Sequence, residues 1–98
     1  MSYLKGRRFE WQVKNLLEKK SWLVVRAARS KPVDLVALKN GLILLIECKY
    51  SSKLIERDKS RLIKLADIAG ALPIIALRKK YWRKIQLINL KTGAQLDI

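Results

Sequence analysis

Histidine is missing from this chain, and cysteine occurs once, as Cys48. Those two absences exclude a zinc site of ordinary composition, an internal disulfide framework and a histidine general base. A lone cysteine suits the reducing cytoplasm, which is the expected compartment. Long apolar runs are also absent. No uninterrupted segment approaches the ~20 residues that a spanning helix needs, so no membrane role is expected. The N-terminus is polar and basic with no apolar stretch behind it, which argues against a signal peptide. Internal repeats, low-complexity tracts and linkers are lacking too, and 98 residues suffice for one core. A single domain over residues 1–98 is expected.

Acidic residues are the scarcest common class: 8 against 22 Lys and Arg, for a formal net charge of +14. Half the residues are hydrophobic, so the chain is a packed globule rather than a disordered polycation. A positive surplus of this size implies a polyanionic partner, nucleic acid first. The bland alternative is a solvated basic surface. With so few carboxylates, the positions they occupy carry information.

The most informative stretch runs from Pro32 to Lys49. Two apolar, β-rich runs flank Asn40-Gly41, the strongest short signal for a hairpin with a type I′ turn. If these two are the loop residues, Leu38 faces Ile43, Val36 faces Leu45 and Asp34 faces Glu47. Directly opposed residues have Cβ atoms about 4.5–5.5 Å apart. Two carboxylates so close repel one another and call for a compensating cation. Lys49 projects from the same face as Glu47, whereas Cys48 points the other way. Cys48, without a histidine partner and on an apolar face, reads as structural rather than nucleophilic.

About Lys5 to Lys20 reads as a helix with Phe9, Val13, Leu16 and Leu17 on one face. Glu10 lies on or beside that face. It is either a third acidic group aimed at Asp34 and Glu47, or a rim residue paired with Lys14 at i+4. A first strand, Trp22 to Ala28, leads into the loop Arg29-Ser30-Lys31-Pro32. Ser30 is open to two readings, a phosphate or water ligand or a structural loop residue. Strands follow over about Val33–Leu38 and Leu42–Lys49, the second apolar on both faces and therefore central. A second helix is expected from Lys53 to Ala69, stopped by Gly70, then a strand over Leu72–Leu77 parallel to the central one. A charged turn containing Lys80-Tyr81-Trp82-Arg83 leads to a last strand over Ile85–Leu90. The tail carries a Thr92-Gly93 turn signal and ends as a short strand or a loose segment. The order is α-β-β-β-α-β-β, an α/β fold with a central mixed sheet flanked by helices.

Asp and Glu are hard oxygen ligands suited to Mg²⁺ or Mn²⁺. An ion shared by Asp34 and Glu47 would polarise a phosphate and activate water, and Lys49 would stabilise developing negative charge. With no histidine, the base must be metal-activated water, a carboxylate or Lys49.

Asp34, twelve residues, then Glu47-Cys48-Lys49 resembles the PD-(D/E)xK nuclease motif. The setting is similar to that of the archaeal Holliday junction resolvases: Lys5-Gly6 ahead of Glu10, the Val24-Val25-Arg26-Ala27 strand, a serine-bearing loop, and the hairpin from Asp34 to Gly41. The resemblance covers about Lys5 to Ser52 closely and the remainder by element order. It implies a restriction-endonuclease-like core and a metal-dependent endonuclease, acting as a homodimer on four-way DNA junctions. It further implies Glu10, Asp34 and Glu47 as metal ligands or water-orienting groups, Lys49 as the catalytic lysine and Ser30 as an active-site serine.

Basic residues suit contact with the DNA backbone: Lys5, Arg7 and Arg8 at the first helix, Arg29 and Lys31 beside the site, and Lys53, Arg57, Arg61 and Lys64 along the second. The aromatics of the charged turn either stack on exposed bases or cap the core. Two other readings stand beside the resolvase: a less selective nuclease of the same fold, and a DNA-binding module without catalysis. In the last, Asp34 and Glu47 would be salt-bridged to Arg or Lys.

Overall fold

The structure is a computed structural model. It describes residues 2–50, 53–78 and 83–98, and the side chains of all of these except residues 2–5 and 30. In chain order the elements are α1 (Ser2–Lys19), β1 (Leu23–Arg26), a 3₁₀ turn (Ala28–Ser30), β2 (Leu35–Lys39), β3 (Leu42–Tyr50), α2 (Glu56–Ala69), β4 (Leu72–Arg78) and β5 (Gln86–Asn89). The expected order is thus borne out, with one turn of 3₁₀ helix inside the loop before β2.

Asn40 and Gly41 both take left-handed backbone, φ 50° and 80°, as a type I′ turn requires. That turn sets the register. Leu38 pairs with Ile43, Val36 with Leu45 and Leu35 with Ile46. Strands lie in the order β1-β2-β3-β4-β5, and β3 with β4 is the parallel pair. The parallel crossover is made by α2, which ends on Gly70 at φ 65°. There the Ala71 N–H donates to the Ala66 carbonyl at 2.8 Å, closing the helix with a Schellman-type bond.

Alternation along the strands sorts side chains into two layers. Phe9, Val13 and Leu17 of α1 meet Leu35, Ala37, Leu44, Ile46, Ile74 and Ala76 on one face. Leu62 and Ala66 of α2 meet Val33, Leu45 and Ala71 on the other. Each large side chain so enclosed contributes about 1.5–3 kcal/mol. The sheet is therefore buried on both sides at β3, which explains why that strand is apolar at consecutive positions.

Most boundaries differ from expectation by a few residues, and β2 begins at Leu35 rather than Val33, which leaves Asp34 just outside it. The second helix begins at Glu56 rather than Lys53, because Glu56 and Asp58 set negative charge in its first turn, where the helix dipole favours it. β1 ends at Arg26, since the chain then turns through Ala28–Ser30 with Arg29 at φ 57°. The tail is not loose. The Leu96 N–H donates to the Leu87 carbonyl at 2.6 Å, and Leu96 and Ile98 pack on the α1-side core. The Lys80-Tyr81-Trp82 part of the charged turn lies outside the described residues.

Candidate active site

The β2–β3 pairing ends at Leu35 opposite Ile46; Asp34 lies one residue before β2, and Glu47 one residue further along β3. Ile46 and Cys48 face α1, so Glu47 and Lys49, alternating with them on β3, face the α2 side. Asp34 and Glu47 are 6% and 8% exposed, the two buried charged residues among those described.

Each carboxylate is held by its own partners. β2 starts at Leu35, and beyond it the Cys48 N–H turns to the side chain of Asp34, donating to Oδ2 at 2.8 Å. The Asp34 carbonyl accepts the Ala27 N–H at 3.1 Å, which fixes the loop against the end of β1. Glu47 is approached from α2. Arg61 Nη2 lies 3.5 Å from Glu47 Oε1, while Nη1 donates to the Pro32 carbonyl at 2.6 Å. One guanidinium thereby ties the helix to the loop that carries Asp34.

Burial, and next the charge of Asp34, push the Glu47 carboxyl up from 4.5 to about 7; Arg61 and Lys49 act against that rise. An ion pair that fully satisfied Glu47 would hold it low, so the long contact with Arg61 leaves the carboxylate short of positive charge. The Cys48 thiol is pushed well above its ordinary value by burial, then by Asp34, Glu10 and Glu47. It cannot supply a thiolate, in agreement with a structural role.

Glu10 Oε1 accepts from Arg26 Nε at 3.1 Å and Lys14 pairs with Glu18 at 2.9 Å, so the rim pairing of Glu10 with Lys14 is not formed. Among the described residues no three acidic, cysteine or histidine side chains are grouped closely enough to hold a metal ion. The charges of Asp34, Glu10 and Glu47 nevertheless all act on the Cys48 thiol.

Arg7, Arg8, Arg29, Lys31, Lys53, Arg57 and Lys64 are exposed, as phosphate contacts need to be. The side chains of Lys5 and Ser30 lie outside those described, although the backbone of Ser30 closes the 3₁₀ turn. Arg61 belongs to the site rather than to the basic stripe alone. Sequence reasoning missed this pairing and that of Arg26. The available signals were adjacency of Arg61 to the core residue Leu62, and the shared strand face of Arg26 and Val24.

A buried carboxylate pair, a lysine two residues beyond Glu47 and a mixed sheet entered through a helix match the PD-(D/E)xK pattern that the sequence resembles. A family model described as archaeal Holliday junction resolvase (Hjc) matches residues 1–96. The chain belongs to that family. It is 42% identical over 80 residues to a crossover junction endodeoxyribonuclease Hjc of Methanocaldococcus jannaschii, an alignment covering 78% of this chain and 60% of that protein. The chain therefore spans about 60% of the length of that curated relative. Among solved structures, Hjc of Archaeoglobus fulgidus, a Holliday junction resolvase from an archaeal hyperthermophile, is similar with a TM-score of 0.77. That match has 25% identity and covers 89% of this chain and 74% of the other. No helix among the described residues is long and apolar enough to cross a membrane.

Proposed function

We propose that this chain is a divalent-metal-dependent endodeoxyribonuclease that resolves four-way DNA junctions as a homodimer. The observation that carries the reading is the buried pair Asp34 and Glu47 at the open end of an apolar hairpin, with Glu47 pushed up to about 7 by burial and by the charge of Asp34. Such a pair is costly without a cation between or beside it. Its hard oxygen donors fit Mg²⁺, with Mn²⁺ as a second choice. A bound divalent ion would supply positive charge to the scissile phosphate and acidity to a nearby water.

The chain's own groups have distinct parts. Asp34, anchored by the Cys48 N–H, and Glu47, with Arg61 Nη2 on its Oε1, are the groups that would hold the ion. Lys49, on the same face, neutralises charge that develops on the phosphoryl oxygens. Glu10, ion-paired with Arg26, is the third acidic group of the proposed site, and Ser30 lies in the loop before Asp34. The homodimer has a suitable meeting face in the apolar side of β1, where Leu23 is 65% and Val25 50% exposed on an otherwise strongly basic chain.

Family membership favours the junction as substrate over a less selective nuclease role. The contact between Arg61 and Glu47 is what a non-catalytic DNA-binding module would display. At 3.5 Å, and with Glu47 still pushed up, it is a weak substitute for a metal. The deciding experiment is cleavage of a synthetic four-way junction and a matched linear duplex in Mg²⁺ and in EDTA, with Asp34→Asn alongside. Paired symmetric nicks on the junction in Mg²⁺ alone, lost in Asp34→Asn with DNA binding retained, are expected. Equal cutting of both substrates would leave a nuclease without junction selectivity, and binding without cutting would leave the module.

A further inference from the structure

β3 and β4 end side by side, with Tyr50 in register with Arg78. Tyr50 follows Lys49 and so faces away from the carboxylates, toward α1. An open pocket on that side is lined by Arg8, Phe9, Gln12, Tyr50 and Arg78. The guanidinium carbon of Arg78 lies 5.2 Å from the Tyr50 ring centroid and 5.8 Å from that of Phe9. The two rings are themselves 5.8 Å apart and tilted by 51°. Phe9 is core, at 1% exposure, so this platform cannot turn away. A guanidinium stacked on rings keeps its N–H donors at its edge, available to a ligand.

Two polar atoms at this pocket lack partners. Arg78 Nε and Gln12 Oε1 are both buried, with no hydrogen bond among the described residues. An unsatisfied buried polar atom costs about 1–3 kcal/mol, so a pair in one pocket calls for a ligand. Oxygen and nitrogen of the Gln12 amide exchange places by a half-turn about its last bond, which would put a second donor next to Arg78 Nε. Arg8, exposed and four residues before Gln12 on α1, stands on the same helix face. Among the described residues no carboxylate lines the pocket. A water molecule would answer the two orphan atoms but not the two guanidinium groups, which want a counter-charge.

We propose that Arg8, Gln12 and Arg78 form a phosphate subsite on the α1 face, which takes a backbone phosphate of the DNA bound at Asp34 and Glu47. The DNA part rests on the reading given under Proposed function. A strand passing round the end of β3 and β4 meets both faces there, so the subsite grips an arm of the substrate without touching the reacting phosphate.

The test is a titration of the wild-type Arg78 Nε–H resonance by ¹⁵N NMR, first with inorganic phosphate at constant ionic strength and then with a four-way junction in EDTA. Arg78→Met keeps the apolar stem on the rings and removes the charge, and Arg78→Lys keeps the charge without the fork. The resonance should shift with phosphate and with DNA, but not with added chloride. Arg78→Met should weaken junction binding about tenfold and lower the salt slope by about one. Arg78→Lys should fall between. A resonance unmoved by phosphate, with unaltered affinity and slope in Arg78→Met, would overturn the subsite. A shift with free phosphate and no effect of the variant on DNA binding would overturn its assignment to the DNA backbone. A wild-type chain that binds no DNA overturns the preceding functional reading and this assignment with it, while the phosphate titration still decides the pocket.

Discussion

Glu47 is held in a place that suits its protonated form better than its charged one. Burial and Asp34 raise its carboxyl from 4.5 to about 7, so the folded chain keeps a proton that the unfolded chain has released. The direction of the pH effect follows. The fold is undisturbed by this group below about 4.5, loses stability as pH rises toward about 7, and carries a constant penalty above that. Glu47→Gln should therefore stabilise the protein at pH 8 by roughly 1–2 kcal/mol, after discounting for solvent access, and by nothing at pH 4. Urea melts of both proteins at the two pH values measure it. A variant destabilised equally at both would mean that the carboxylate is satisfied in the fold. Because an ion must displace this proton, divalent affinity should also grow as pH passes through about 7.

At the scale of elements, the structure depends on two left-handed turns that do different work. Asn40-Gly41 decides which face of β3 carries the carboxylates, since a slip of one residue would exchange Glu47 with Cys48. Gly70 decides where α2 stops and hence where β4 can begin. A Cβ built at Gly70 would meet nothing within 4 Å, so the cost of Gly70→Ala is conformational alone. It should be about 1 kcal/mol, or a fall in Tm of about 4–8 °C. Gly6, in α1, also has nothing within 4 Å of such a Cβ but carries no left-handed φ. There the same change should stabilise by a few tenths to about 1 kcal/mol. Opposite signs in calorimetry are expected. Equal effects would mean that φ at Gly70 is not what sets the cost.

For the whole molecule, the governing quantity is the net charge of +14 against a polyanion. Under the proposed function, exposed Arg7, Arg8, Arg29, Lys31, Arg57 and Lys64 would supply contacts that release counterions from DNA. If six to ten phosphates are contacted, log affinity should fall against log salt with a slope of roughly −5 to −9. Fluorescence anisotropy in EDTA measures this without cleavage. A flat dependence would contradict every nucleic-acid reading of the chain, resolvase included.

The order of elements, the hairpin register and the shared face of Glu47 and Lys49 are legible in the sequence alone. Those features follow from local rules: period-two alternation, a turn that demands positive φ, and a glycine stop. The sequence also determined that Cys48 is no nucleophile, because strand parity alone sends it to the apolar face. Only the tertiary structure decided what surrounds each carboxylate. The pairing of Glu10 with Arg26, the reach of Arg61 to both Glu47 and Pro32, and the stacking of Arg78 on Phe9 and Tyr50 join elements far apart in the chain. No periodicity encodes such contacts, since they depend on which face each helix covers and on how far a long flexible side chain reaches across it.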